Sequence, residues 1–305
     1  MARANGKVIL LGEHAVVYGV PAIAASIERG VEASATPASA PSLRIGERQA
    51  VAGDDSELGR AFAALLSALG AAHSRLAVEA RLELPPGSGL GASAALGVAI
   101  ARAVILALGG AEEPARVLSA AAAWEGVYHG NPSGIDAATA AHSGCLLFDK
   151  LSGPQPIALG RDLVLAIGLA GPPASTKLMV EGVARLRERR PAVVDKALEG
   201  IRALVRNAKL CLEAGDLPGL GSLMNYNQML LSGLFVSTEG IERCCALARD
   251  AGALGAKLTG AGGGGAVIAL CDGDATPILS AWRAAGIDCF GSSVRASQTE
   301  ATLRT

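Results

Sequence analysis

Two glycine-rich segments are the first candidates for chemistry in this chain, because glycine lets backbone N–H groups approach an anion closely. The first reads GSGLGAS over residues 87–93, and the second reads GAGGGG over residues 260–265. A helix is predicted to begin near residue 92, so its free N–H groups would add a positive dipole end to the first segment. Both segments are therefore predicted to bind phosphate groups.

The glycine spacing leaves alternatives open. By letter, both segments satisfy the G-x-G-x-x-G/A fingerprint of dinucleotide-binding proteins. An NAD-dependent oxidoreductase is disfavoured because no acidic residue lies about 20 positions after Gly87. The Walker A string is absent, so an ATP-binding protein of this sequence would not be a P-loop enzyme. The glycines could also serve only to make tight turns, an alternative that is stronger for the second segment.

Two acidic residues that could bind a metal ion and accept a proton occur in residues 124–136, which read WEGVYHGNPSGID. Glu125 and His129 are four residues apart, on one face of a predicted helix. The NPSG turn after that helix would hold Asp136 in a fixed place. Glu125 could then hold Mg²⁺, while Asp136 accepts a proton from a substrate hydroxyl. A plain surface pair is the alternative for Glu125 and His129.

The N-terminal segment KVILLGEHAVVYG, residues 7–19, joins a strand to a turn flanked by glycines. The strand delivers Glu13 and His14 to its end, where polar residues commonly contact ligands. A lysine such as Lys7, if it lay near Asp136, would keep that carboxylate ionised and could stabilise a developing alkoxide. A solvated charge at a strand end is the alternative for Lys7.

The elements that must position these residues follow from hydrophobic periodicity and from turn signals. Strands are predicted at residues 8–11, 22–25, 31–35, 76–84, 163–169, 253–258 and 266–271. Helices are predicted at residues 58–69, 93–108, 114–129, 177–189, 191–214, 217–231, 238–251 and 276–285. Pro154 and Pro156 precede a continuous apolar strand, so we expect two domains, residues 1–156 and 157–305.

Composition narrows the class of protein. The chain has 305 residues, enough for about two domains, and its formal net charge of -1 disfavours a nucleic-acid partner. The 6 cysteines show no C-x-x-C pair, which favours reduced thiols in a cytoplasm over a zinc or disulfide framework. The longest apolar stretch, residues 94–111, carries Arg102, so a buried helix is expected there and no membrane partner.

Together these segments resemble the GHMP kinases, a family that includes galactokinase, homoserine kinase, mevalonate kinase and phosphomevalonate kinase. The three motifs of the family occur in order, as residues 7–19, PPGSGLGASAA at 85–95 and KLTGAGGGG at 257–265. A galactokinase would be expected to read GEHTD, whereas GEHAVVYG is similar to the subgroup that acts on mevalonate. HGNPSGID, STK at 175–177 and NYNQMLLSGLFVS at 225–237 are similar to that subgroup as well. The resemblance spans nearly the whole chain.

The resemblance implies an α+β fold with an N-terminal domain like domain 2 of ribosomal protein S5 and a ferredoxin-like C-terminal domain. It implies a kinase that uses ATP and Mg²⁺ to phosphorylate mevalonate, and a homodimer. Two other functions stay open. One is a kinase for another small alcohol or for phosphorylated mevalonate, and the other is an inactive nucleotide-binding regulator, which would be expected to have lost Asp136 or Lys7.

The resemblance also implies roles for individual residues. Asp136 would be the catalytic base and Lys7 its partner, while Ser93 and Glu125 would bind Mg²⁺. The triphosphate would be wrapped by Pro86, Gly87, Ser88, Gly89, Leu90, Gly91, Ala92 and Ser93. The substrate would contact Lys7, Glu13, His14, Asp136, Thr176 and Gly262. Two positions depart from the family pattern: Ala92 replaces the first of two serines, and Asn5 replaces a proline.

Overall fold

The computed structural model describes residues 1–85, 87–129 and 134–296, without the side chain of His129. Pro86 and most of the predicted NPSG turn lie outside the described residues. The chain forms two compact units. The first unit comprises Met1–Val8 and Ser26–Ser143, and the second comprises Ile9–Ala25 and the chain from Gly144 onward.

The first unit combines strands of a mixed sheet with helices. Its strands are β1 (Ala2–Leu11), β2 (Ala22–Pro37), β3 (Ser42–Ile45), β4 (Arg48–Val51) and β5 (Leu76–Leu82). Their order is β4-β3-β5-β2, and β1 also pairs with β2. The helices are α1 (Glu57–Ala68), α2 (Ala92–Ala107), α3 (Pro114–His129) and α4 (Ile135–Ala141). β1 and β2 continue into the second unit.

One strand replaces the two that were predicted at residues 22–25 and 31–35. β2 runs unbroken through both, because only Glu28 and Arg29 between them are exposed and the backbone stays extended. Such a short polar interruption resembles a turn in sequence. Two short strands near this region, β3 and β4, are not predicted either: each has 4 residues, and β3 pairs in parallel with β5.

The second unit begins with a hairpin beside β2. β6 (Cys145–Asp149) pairs with residues 22–25 of β2 and with β7 (Gly153–Ile157). Pro154 and Pro156 therefore lie in a strand at the sheet edge, where a missing N–H is tolerated. This pairing explains why the chain changes units at Gly144, whereas the domain boundary predicted near residue 156 stays a prediction.

The second sheet contains β8 (Leu163–Leu169), β9 (Gly255–Leu258), β10 (Ala266–Cys271) and β11 (Cys289–Val294). Its order is β11-β8-β10-β9, and every pairing is antiparallel. When β8 is taken as the first strand of this sheet, the fourth strand lies beside the first and the third lies between the first and the second. This is the strand order of a ferredoxin-like sheet, so the prediction of a ferredoxin-like C-terminal domain is confirmed. The helices of this unit are α5 (Thr176–Arg189), α6 (Pro191–Ala214), α7 (Leu217–Gly233), α8 (Glu239–Asp250) and α9 (Thr276–Ala284).

Helix α7 satisfies the free edge of β9. The Ala256 N–H donates to Asn225 Oδ1 at 3.0 Å, and the Leu258 N–H donates to Gln228 Oε1 at 2.9 Å. Exposed strand edges otherwise present unpaired backbone groups. Part of the NYNQ sequence therefore has a structural role.

The apolar stretch predicted to be a buried helix forms most of α2, whose residues Val98–Ala101 are all buried. Arg102 in its middle is partly buried and donates to the carbonyl oxygens of Arg3 and Ala141 and to Glu112. Among the helices of the described residues, none has the length and apolar character needed to cross a membrane.

Candidate active site

Lys7 and Asp136 meet in the first unit. Lys7 Nζ lies 3.1 Å from Asp136 Oδ1, with the lysine side chain 4% exposed and the aspartate side chain 35% exposed. Asp136 occupies the first turn of α4, which begins after Gly134 in a left-handed conformation. The backbone N–H of Lys7 donates to the Leu90 carbonyl at 2.9 Å, so β1 is joined to the first glycine segment. A buried ammonium group thus contacts an accessible carboxylate.

Glu125 is a buried carboxylic acid on α3, in the same unit. Burial raises its pKa to about 8, the negative charge of Asp136 acts in the same direction, and Lys7 opposes both effects. A carboxylate disfavoured in this way is stabilised by a bound cation, and oxygen ligands suit Mg²⁺. No cluster of three or more His, Cys, Asp or Glu residues fit for a metal occurs in the described part of the chain.

Trp124 links the two residues that were predicted to bind Mg²⁺. Its indole N–H donates to the Ser93 carbonyl at 3.1 Å, and Trp124 directly precedes Glu125 in α3. A Cβ on Gly97 would lie 2.9 Å from the Trp124 ring, so α2 and α3 approach closely there. Trp124 was missed in the sequence, although its position beside Glu125 was the available signal.

The first glycine segment has the backbone that an anion site requires. Gly87, Gly89 and Gly91 have φ values of 71°, 80° and 76°, which disfavour side chains. Gly91 precedes α2 and supplies no capping side chain, so the first N–H groups of the helix are available for an anion. The Ser88 hydroxyl instead donates to the Pro85 carbonyl at 2.7 Å. The segment therefore fits phosphate through its backbone.

Replacing Gly91 with Ala is expected to displace Lys7, because the new Cβ would lie 2.7 Å from Lys7 Cγ. Gly109 is the matched control, since it has a φ of 70° and an added methyl group there would have nothing within 4 Å. Both variants lose about 1–2 kcal/mol of unfolding free energy to backbone strain. In urea denaturation, Gly91→Ala should lose more unfolding free energy than Gly109→Ala. Equal losses in the two variants would contradict the close contact between Gly91 and Lys7.

Glu13 and Lys257 form a buried ion pair in the second unit, where both side chains are 0% exposed. Glu13 Oε2 also accepts from Asn227 Nδ2 at 3.1 Å. Burial raises the pKa of Glu13, and the charge of Lys257 opposes that shift. Both carboxylate oxygens thus have partners within the protein, and the expected contact of Glu13 with substrate stays a prediction.

His14 follows Glu13 and is also buried. Its Nε2 lies 2.8 Å from the Ala261 carbonyl, in the second glycine segment. Burial lowers the pKa of His14, which favours the neutral ring, although the contact with Ala261 opposes the shift. Its backbone φ of 59° is unusual for a residue other than glycine.

The second glycine segment is closely packed by its own unit. A Cβ on Gly262 would lie 2.2 Å from the Val236 carbonyl oxygen, and one on Gly264 would lie 2.0 Å from that of Pro172. These glycines are therefore required for packing, whether or not Gly262 contacts substrate. Thr176, the other substrate residue predicted in this unit, is exposed at the start of α5.

Comparisons with known proteins identify the same family along most of the chain. The family model of the GHMP kinases N terminal domain matches residues 57–144, and that of the GHMP kinases C terminal matches residues 201–288. A mevalonate kinase of Methanothermobacter thermautotrophicus is 36% identical, over 93% of this chain and 95% of its own. That of Schizosaccharomyces pombe is 31% identical, over 87% and 81%. The crystal structure of L. major mevalonate kinase in complex with R-mevalonate has a TM-score of 0.87 and 32% identity, covering 97% and 95% of the two chains.

Proposed function

Because this chain belongs to the GHMP kinase family, we propose that it transfers the γ-phosphoryl group of ATP to the C5 hydroxyl of (R)-mevalonate. The products would be 5-phosphomevalonate and ADP. The observation that carries the proposal is the contact of Lys7 with Asp136, since an inactive relative would not need to retain both. The choice of mevalonate is supported by the names of the similar proteins, one of which was solved with R-mevalonate bound.

Asp136 accepts the proton of the attacking hydroxyl in this proposal. Phosphoryl transfer proceeds mostly through positioning and charge stabilisation, so the carboxylate need not be a strong base. The Lys7 ammonium group, 3.1 Å from Asp136, orients the carboxylate and stabilises negative charge on the substrate oxygen. Its burial strengthens both effects, because little water screens the charge.

The first glycine segment would bind the triphosphate through the N–H groups at the start of α2. Ala92 supplies only its backbone N–H, so the hydroxyl that the family usually has there does not contribute. ATP as phosphoryl donor is implied by membership of the kinase family. A side chain at Gly91 would collide with Lys7, so the segment proposed to bind the triphosphate lies directly against the lysine.

Glu125 and Ser93 would hold Mg²⁺, which supplies charge neutralisation at the phosphates. The carboxylic acid of Glu125 has the burial and the raised pKa expected of a group that lacks its cation. The indole contact from Trp124 to the Ser93 carbonyl joins α3 to the first turn of α2, which supports a shared role for Ser93 and Glu125.

Glu125→Gln is expected to raise the Mg²⁺ concentration for half-maximal rate by about 10-fold or more, because the amide keeps the shape but loses the charge. The measurement is an Mg²⁺ titration at saturating ATP and mevalonate. Glu113→Gln, at an exposed position just before α3, is the matched control. An unchanged titration in Glu125→Gln would exclude it as a ligand.

ADP release in a coupled assay tests the function directly. Mevalonate, 5-phosphomevalonate, galactose and homoserine are offered with MgATP, and the Asp136→Asn variant provides the blank. ADP formed with mevalonate alone supports the proposal, and activity on another alcohol assigns a different substrate to the same fold. No ADP formation with any of the four compounds favours a nucleotide-binding regulator. The homodimer and the cytoplasmic location stay predictions.

A further inference from the structure

An arginine in the middle of the apolar helix α2 binds three other segments of the first unit. Arg102 donates from Nη1 to the Arg3 carbonyl at 2.7 Å and from Nη2 to the Ala141 carbonyl at 2.8 Å. Its Nε donates to Glu112 at 2.7 Å. The side chain is 19% exposed, so its charge loses much of its hydration and needs these acceptors. Because the donors of a guanidinium lie in a rigid fork, Arg102 holds β1 and the end of α4 at a set distance.

Asn5 of β1 binds the same end of α4. Its Nδ2 donates to the His142 carbonyl at 3.2 Å and to Ser143 Oγ at 3.4 Å, directly after the helix ends. Because side chains alternate along a strand, Asn5 and Lys7 lie on the same face of β1. Lys7 contacts Asp136, in the first turn of α4. Both ends of α4 are therefore attached to one face of the same strand.

Packing alone would fix the position of α4 poorly. The helix has 7 residues, too few to be stable by itself. Its buried side chains include Ala137, Ala138 and Ala140, whose methyl groups form only shallow ridges against α2. β1, in contrast, is held by its pairing with β2. Loss of the hydrogen bonds at its end should therefore shift α4, and Asp136 with it, while Lys7 keeps its place on β1.

We propose that Arg102 and Asn5 are positioning residues: they hold the end of α4 on β1, so that Asp136 stays in contact with Lys7. The inference rests on the proposed function, because Asp136 is the base of that reaction. Both residues act on the reaction only through Asp136. A displacement of about 1 Å in a reacting group can lower a rate about 10²-fold, so a small shift of α4 should be visible in kcat.

Steady-state kinetics of two variants test the proposal. Arg102→Met should lower kcat for mevalonate about 10- to 100-fold. Asn5→Ala should lower it about 3- to 10-fold, a smaller effect because water competes for its exposed hydrogen bonds. KM for ATP should stay within about twofold in both variants. Arg206→Met and Asn207→Ala, at exposed positions of α6, are the matched controls and should keep full activity. An unchanged kcat in Arg102→Met would overturn the proposal.

A second background separates positioning from a general loss of stability. Where Asp136→Asn has already removed the base, adding Arg102→Met should change kcat by less than about twofold, because the shifted side chain no longer takes the proton. An arginine that only stabilises the fold would lower kcat by the same factor in both backgrounds. That result would overturn the proposal. All rates are compared well below the thermal midpoint of each variant.

Amide hydrogen exchange gives a readout without substrate. In Arg102→Met, the amides of residues 135–143 should exchange about 10-fold faster or more, because the end of α4 opens locally. The amides of α1, which packs on α3, should keep their rates. No acceleration in residues 135–143, or equal acceleration in α1, would overturn the proposal even if kcat falls. Absence of ADP formation by the unaltered protein would instead refute the proposed function, while exchange would still show whether Arg102 holds α4, so the two failures are distinct.

Discussion

Asp136→Asn is expected to lower kcat for mevalonate by about 10²- to 10⁴-fold, the usual contribution of a positioned general base. Asparagine keeps the shape of the side chain but cannot accept the hydroxyl proton, and Lys7 loses the charge 3.1 Å away. KM for ATP should stay within about threefold, because the first glycine segment does not depend on this carboxylate. Single-turnover measurements with saturating MgATP separate the chemical step from product release.

Asp250→Asn at the exposed end of α8 is the control for the loss of one negative charge, and it should keep full activity. Asp136→Asn also leaves a buried ammonium without its counter-charge, so some loss of thermal stability is expected. Activity is therefore compared well below the thermal midpoint of each variant. Near-normal turnover in a folded Asp136→Asn protein would remove this residue as the base.

Long periodic segments made most of the fold predictable. The helix predicted at residues 191–214 is α6 residue for residue, because its apolar positions recur at the helical period and Pro191 and Gly215 mark its ends. β3 and β4 have 4 residues each and were missed, because 4 positions are too few to reveal an alternating hydrophobic pattern. α4 was missed for the same reason, with 7 residues.

The candidate site was predictable as far as its residues lay in local motifs. Lys7, Glu125 and Asp136 stand in segments whose glycines and turns are visible in the sequence. The residues that pair with site residues from distant parts of the chain were not predictable, because such pairing depends on tertiary contact. Lys257 lies 244 positions from Glu13, and no local pattern encodes that contact. The strained backbone of His14 was hidden as well, since nothing in the residue type requires it.

Lys7→Met is expected to lower kcat by about 10²- to 10³-fold, the usual effect of removing one preorganised electrostatic group. Methionine fills the buried volume without a charge, so the Asp136 carboxylate and the developing alkoxide both lose their stabilising partner. Lys7→Arg should recover only part of the rate, because a planar guanidinium does not fit against Gly91 as the lysine stem does. Lys150→Met, at an exposed position, controls for the loss of one positive charge.

The double variant Lys7→Met with Asp136→Asn distinguishes a catalytic unit from two independent residues. Side chains in contact that act on the same proton are strongly non-additive, so the double variant should be no slower than about threefold below the slower single variant. Independent roles would instead multiply the two losses. The rate constants come from the same single-turnover assay, with the concentration of active sites measured by ATP binding. A fully multiplicative result would mean that Lys7 acts on the phosphates rather than through Asp136, and the proton transfer would then need another stabilising group.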